Sequence, residues 1–210
     1  MEFYEAVKRR RTIRDFARST VAPGKIHRAL GAGLRAPTYN HLREWDFVLV
    51  RDRATRLAII QAEKLPERCD IEELERAFEG HDRLAKGMYL NAIPKQKRML
   101  LTAPELVVVV YRPKTRITES SGVYDLNGLA SVWCCIENIL LAMAAEDLYG
   151  VTYVPQNTRG TKGVLGIPEE LEIAALIALG YRAEDARVPR QKGVTLADKL
   201  HHNAWGNREE

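Results

Sequence analysis

The run Glu105-Leu106-Val107-Val108-Val109-Val110-Tyr111 constrains this chain more than any other stretch. β-Branched side chains are stiff at χ1 and favour extended backbone, so the run reads as a strand. It has no polar face to offer to water, which implies a central strand covered on both sides. The rest of the chain must supply that cover. At 210 residues, 46% hydrophobic and 29% charged, it has the apolar sequence to do so. Disordered, collagen-like and low-complexity classes are excluded on the same figures.

Helical spacing puts Phe3, Ala6, Val7 and Arg10 on one face of a helix over 3–10. Arg11 to Phe16 break that period and read as extended. Pro23-Gly24 marks a turn before a helix from Lys25 to about Arg35, which Ala36-Pro37 ends. Asp46 to Arg51 reads as a strand. Residues 54–101 are a charged helical excursion punctuated by Pro66, Gly80, Gly87 and Pro94, expected to lie outside the core of a single domain spanning 1–210. Asn127 to Asp147 is the most apolar helix, with only Ser131, Glu137 and Asn138 plainly polar between Gly128 and Ala145. A membrane span would put Glu137 near its midpoint at a cost of several kcal/mol, so a helix buried in the fold or in a subunit interface is expected. Val151–Val154 and Glu172–Tyr181 read as further strands, and Val194 to Trp205 as a last helix. The pattern is α+β, without the regular alternation of a dinucleotide fold. Gly31-Ala32-Gly33 lies inside a helix without the third glycine, and no Walker loop occurs.

The net charge of +4 is uneven: the first 35 residues hold nine Lys/Arg against three Asp/Glu, leaving −2 for the rest. A local cluster suits a local anion, either a nucleic-acid backbone or a small phosphate-bearing ligand, and is otherwise a solvated surface. No nucleic-acid-binding motif accompanies it. Three cysteines are too few for a disulfide framework or zinc site, and the charged N-terminus lacks the apolar run of an export signal. A reduced, cytoplasmic protein is expected. Cys134-Cys135, inside the apolar helix, read as buried small hydrophobes, and no acid or cysteine sits at metal-ligand spacing from His201-His202.

In an extended segment alternate residues share a face, so Arg10, Thr12 and Arg14 would present two guanidiniums and a hydroxyl together. Such a fork matches a phosphate. Arg190 and Lys192 repeat the period-two spacing near the other end of the chain. Either pair can also be ordinary surface charge. The loop Ala36-Pro37-Thr38-Tyr39-Asn40-His41-Leu42-Arg43-Glu44-Trp45 joins helix to strand and is dense in donors and acceptors, with Trp45 either a core or an interface aromatic. No nucleophile motif or paired carboxylates are present. Ligand-holding groups without side-chain catalysts point to cofactor chemistry.

These residues carry a family resemblance. Arg9-Arg10-Arg11-Thr12-Ile13-Arg14-Asp15-Phe16 resembles the R-R-S-x-R-x-[FY] signature of the nitroreductase family, the FMN-dependent flavoproteins. The loop from Ala36 to Trp45 resembles that family's A-P-S-x-x-N-x-Q-P-W loop. Leu148-Tyr149-Gly150-Val151-Thr152-Tyr153-Val154-Pro155 is similar to its flavin-contact strand, and Leu165-Gly166-Ile167-Pro168 with Ala178-Leu179-Gly180-Tyr181 to its C-terminal block. The resemblance implies a central, mostly antiparallel sheet flanked by helices, in a domain-swapped homodimer with two FMN sites at the subunit interface. It implies that Arg10, Arg11, Thr12 and Arg14, with Arg190 and Lys192, hold the FMN phosphate and nearby ring edge. Pro37, Thr38, Tyr39 and His41 would line the ribityl chain and isoalloxazine, with the loop's usual Asn at His41 or shifted to Asn40. Tyr153, Val154 and Pro155 would pack against the flavin. Hydride would pass from NADH or NADPH to flavin N5 and on to a nitro, quinone or similar small-molecule acceptor by ping-pong turnover, with no catalytic side chain, metal, nucleic acid or membrane. Specialised relatives use the same scaffold for reductive dehalogenation, flavin breakdown or dehydrogenation. A non-enzymatic flavin or nucleic-acid binder is the remaining alternative. Arg43-Glu44 replaces the usual Gln-Pro, and Tyr39 the usual small residue, adding charge and bulk beside the flavin.

Overall fold

The computed structural model describes residues 1–208. Its elements run α1 (Phe3–Arg9), α2 (Pro23–Gly33), β1 (Trp45–Leu49), α3 (Arg53–Ala62), α4 (Ile71–Ala77), α5 (Arg83–Ala92), α6 (Gln96–Thr102), β2 (Glu105–Tyr111), α7 (Asn127–Ala145), β3 (Tyr149–Tyr153), α8 (Thr158–Leu165) and β4 (Glu172–Gly180). The strands form one antiparallel sheet in the order β1-β2-β4-β3.

Every residue of β2 is buried, and its alternation feeds two cores. Val107, Val109 and Tyr111 pack with Ile26 and Ala29 of α2 and with Cys135, Ile136, Ile139 and Met143 of α7. Leu106, Val108 and Val110 pack with Ile59 and Ile60 of α3 and Met99 and Leu100 of α6. Each such side chain contributes about 1.5–3 kcal/mol when fully buried. The result is the α+β architecture expected, an antiparallel sheet covered by helices on both faces. Trp45 belongs to the first core and opens β1. In β4 a bulge opposite Val109 and Val110 inserts Ala174, so Ala174 and Ala175 both face the α2/α7 side while Ile173 faces the other.

Some expectations are corrected. Residues 54–101 are helical, but they do not all lie outside the core: α3 and α6 supply the fully buried Ile59 and Leu100. Their charge is segregated rather than excluded. Arg56 is itself buried because its guanidinium donates to the carbonyls of Val50 (3.0 Å) and Ala103 (2.6 Å). Helix α8 was not anticipated. Its sequence holds two glycines and two threonines, poor helix formers, and it is set by the Asn157 side chain accepting from Gly160 N–H at 3.0 Å. Residues 194–205 form turns, not a helix. Thr195 and Asp198 close one turn there, and the exposed Val194, Leu196 and Trp205 give a helix no buried face to form against.

Helix α7 is long and apolar enough to cross a membrane. Its Val132, Cys135, Ile136, Ile139 and Met143 are fully buried in the first core, while Trp133, Cys134 and Glu137 form an exposed stripe. Of the cysteine pair, only Cys135 is buried.

By contacts the chain divides into two compact units, Met1–Cys69 with Ala92–Val188, and Asp70–Asn91 with the chain from Pro189 on. The sheet and both cores belong to the first. In the second, Asp70 and Asp82 cap α4 and α5, and Phe78 stacks on Tyr89 with ring centroids 4.2 Å apart.

Candidate functional site

The arginine segment is extended because α1 ends at Arg9 and the following residues pair loosely with the sheet. Thr12 bridges Gly150 of β3, and Ala17 N–H donates to the Tyr181 carbonyl at 2.9 Å. Ile13 is buried, so Thr12 and Arg14 turn the other way. Asp15 anchors the segment through Lys95 at 2.6 Å and through Arg98. Gly150 is required at this crossing: a Cβ there would stand 2.5 Å from Met143 Cε and 3.3 Å from the Ala178 carbonyl oxygen. Arg10, Arg11 and Thr12 thereby line a cleft whose other wall is Leu140 and Ala144 of α7 with Leu148 to Thr152.

The cations of the arginine segment, of which Arg10 and Arg11 line the cleft, are short of acceptors. Arg10 faces Glu137 at 3.8 Å. Arg11 Nε is buried without a hydrogen-bond partner. Burial lowers the pKa of Arg14, partly offset by neighbouring Asp15. Buried guanidinium donors without acceptors are costly, and an anion in the cleft would relieve that cost.

The Pro37–His41 loop makes a tight turn in which Asn40, His41 and Arg43 all take positive φ, at 49°, 58° and 47°. Asn and His tolerate that region better than Arg, and positive φ at non-glycine residues clusters at functional sites. The turn is held by Arg43 N–H donating to Thr38 Oγ1 (3.2 Å) and Tyr39 N–H to Ser131 Oγ (2.9 Å). The phenols of Tyr39 and Tyr124 are hydrogen-bonded at 2.9 Å, with Lys114 Nζ 3.6 Å from the Tyr124 ring centroid. That hydrogen bond and the Lys114 charge hold the Tyr39 phenol below its ordinary value, while the same bond raises Tyr124. Pro37, Asn40 and His41 are exposed. Sequence reasoning missed Tyr124 and Lys114, since only the fold brings them to Tyr39.

At the end of β3, Tyr153 and Pro155 are buried and Val154 is half exposed. The Tyr153 hydroxyl donates to Glu63 at 2.9 Å. Arg190 and Lys192 lie in the second unit, exposed and outside regular structure.

Within the first unit the loop and the arginine cleft meet α7 at different points. The loop is tied to Ser131 in the second turn of α7, while the arginine cleft is walled by Leu140 and Ala144, nine and thirteen residues further along. At 1.5 Å per residue the two lie about 14–20 Å apart along the helix.

A family model described as Nitroreductase family matches residues 7–181. The chain belongs to the nitroreductase family. An iodotyrosine deiodinase of Haliscomenobacter hydrossis is 25% identical over 193 residues, covering 90% of this chain and 82% of that protein. A protein named NADH dehydrogenase from Thermus thermophilus is 28% identical over 202 residues, covering 90% of this chain and 93% of that protein. A crystal structure of oxidized iodotyrosine deiodinase bound to FMN and 3-iodo-L-tyrosine superposes with a TM-score of 0.75 at 21% identity, over 97% of this chain and all of that one. That likeness shows the nitroreductase fold. The nitroreductase match takes in the arginine segment, the Pro37–His41 loop and Tyr153–Pro155, and stops short of Arg190 and Lys192.

Proposed function

We propose that this chain is an FMN-dependent oxidoreductase that takes hydride from NADH or NADPH and delivers it to a small-molecule acceptor, a nitro or quinone compound being the first to test. The observation that carries the reading is the cleft of Arg10, Arg11 and Thr12, with a buried guanidinium nitrogen that lacks an acceptor. The donor set fits a phosphate monoester such as that of FMN. When bound, FMN supplies two-electron chemistry, taking hydride from one substrate and giving it to the next in ping-pong order.

The chain's own residues then have binding and orienting roles. Arg10, Arg11, Thr12 and Arg14 hold the phosphate and the nearby ring edge. Arg190 and Lys192 are proposed as phosphate-binding cations of the second unit. Pro37, Thr38, Tyr39, Asn40 and His41 line the far end of the ligand, and Val154 with Pro155 gives it an apolar wall. The separation of loop and arginines along α7 favours a homodimer in which each site draws on two copies. The exposed Trp133 and Cys134 of α7 and Phe3, Tyr4 and Val7 of α1 offer apolar surface for such a contact. A second reading, reductive dehalogenation, is favoured by the relatives named iodotyrosine deiodinase.

The deciding experiment is the visible spectrum of protein purified without added cofactor, followed by anaerobic NADH or NADPH and then by acceptor. Flavin colour bleached by a nicotinamide and restored by a nitro or quinone compound supports the first reading. Bleached protein that is reoxidised only by a halogenated tyrosine moves the assignment to the second. A colourless protein that FMN cannot reload refutes both.

A further inference from the structure

Glu63 is a buried carboxylate that forms no ion pair among the described residues. It follows the last residue of α3, at the carbonyl end of a helix, where a negative charge is disfavoured. Its helix therefore does not account for it. Its acceptor atoms are used elsewhere. Oε2 accepts from the Tyr153 hydroxyl at 2.9 Å and from Gln156 N–H at 2.7 Å. Oε1 accepts from the Thr161 hydroxyl at 2.7 Å and from Asn157 N–H at 3.3 Å. Asn157 adds a second tie to α3, its amide donating to the Ala62 carbonyl at 2.9 Å.

One carboxylate thus fastens four points of the chain between the end of β3 and the first turn of α8. Inside that span Val154 is half exposed between buried Tyr153 and Pro155, and the exposed Gln156 and Asn157 follow it. With Tyr153 held on one side and Gln156 on the other, the main chain of Val154 and Pro155 has little freedom to turn.

We infer that Glu63 is a positioning residue for the flavin-facing segment, acting through Tyr153, Gln156 and Asn157 to fix the main chain of Val154 and Pro155. This rests on the proposed FMN reading. The carboxylate does not itself touch the cofactor. It sets the place of the wall that does, because charge-assisted hydrogen bonds to a buried carboxylate are strong and directional.

The test compares the FMN-loaded full chain with Glu63→Ala, Glu63→Gln and Leu100→Ala, the last a buried α6 position that only destabilises. Glu63→Ala is expected to weaken FMN binding about tenfold, the order expected when a loosened segment must be ordered again on binding. At saturating FMN it also shifts the midpoint potential and visible bands of the bound flavin. Glu63→Gln, which keeps one carbonyl oxygen, recovers part of both and stands in if Glu63→Ala does not fold. Leu100→Ala lowers Tm but leaves FMN affinity and potential as they were. Glu63 variants that lose Tm while keeping parental affinity, potential and spectrum overturn the inference. An unmodified protein that binds no FMN is a separate result, which removes the flavin reading and the positioning role with it.

Discussion

The hydroxyl of Ser131 accepts the backbone N–H of Tyr39 at 2.9 Å and donates to the Asn127 carbonyl at 2.7 Å. This ties the Pro37–His41 loop to the beginning of α7, while Arg10 reaches the same helix at Glu137 and Arg9 meets Asp147 beyond its end. The helix α7 therefore stands between the two groups proposed to hold the flavin, and the proposed homodimer is the arrangement to test there.

Placing a charge in the exposed stripe of α7 tests that arrangement. Trp133→Glu should weaken self-association about tenfold or more, since large aromatic side chains dominate interface energetics. It should lose flavin in step with the dimer. Sedimentation paired with flavin absorbance reads both, and a monomer that keeps one FMN per chain would show that the site is not shared.

The guanidinium of Arg11 can be separated from the fold. Arg11→Ala should weaken FMN binding roughly 10–100-fold, the equivalent of one charge-assisted hydrogen bond at about 1.5–3 kcal/mol. Because Arg11 Nε is buried without a partner, the unliganded protein should not lose Tm. Fluorescence quenching of added FMN and a thermal melt check the two halves, and unchanged FMN affinity would remove the phosphate from this cleft.

Helix α7 closes with Leu148 N–H donating to the Met143 carbonyl at 2.8 Å and Asp147 N–H to Ala144 at 3.2 Å, which forces Asp147 to a φ of 61°. That position suits glycine. Asp147→Gly relieves the left-handed strain and gives up the solvent-exposed contact with Arg9, which is worth little. A net gain of about 0.5 kcal/mol is expected from the difference of these effects. Urea unfolding of the two proteins decides it, and a loss would mean the Arg9 contact outweighs the strain.

Alkaline pH should destabilise the fold through its buried phenols. Burial, then the charge of Glu172, pushes Tyr111 up to about 12, and burial with the Glu63 hydrogen bond raises Tyr153 as well. An unfolded tyrosine releases its proton near pH 10. Above that pH the folded chain holds more protons than the unfolded one, so this stability is whole below about pH 10 and falls as pH rises toward 12. Tyr111→Phe should flatten the fall between pH 10 and 11.5 in denaturant titrations. A slope identical to the parent's would assign the alkaline loss to other groups.

What could be read in advance followed how local the signal was. β2 was legible to the residue because four successive valines leave no polar face, and α7 because its few polar side chains stand apart in a long apolar run. Helix α8 was not: glycine and threonine argue against it, and its Asn157 cap and contacts with α3 come from the fold. The excess charge of 54–101 hid the apolar faces of α3 and α6, since Arg56 spends its donors on backbone carbonyls rather than on water. In the candidate site, the arginine spacing announced itself. Glu63 did not, because its partners lie 90 to 98 residues away in the chain.

The bulge in β4 leaves that strand with one residue more than its pairing with β2 uses. Val109 faces Ala175 and Val110 faces Ile173, so Ala174 can be removed without changing any other partner or turning any other side chain to the opposite layer. A deletion elsewhere in β4 would send a whole set of buried residues to the wrong side of the sheet. The strand thus has slack at a single address, and length variation among descendants of this sequence should gather there.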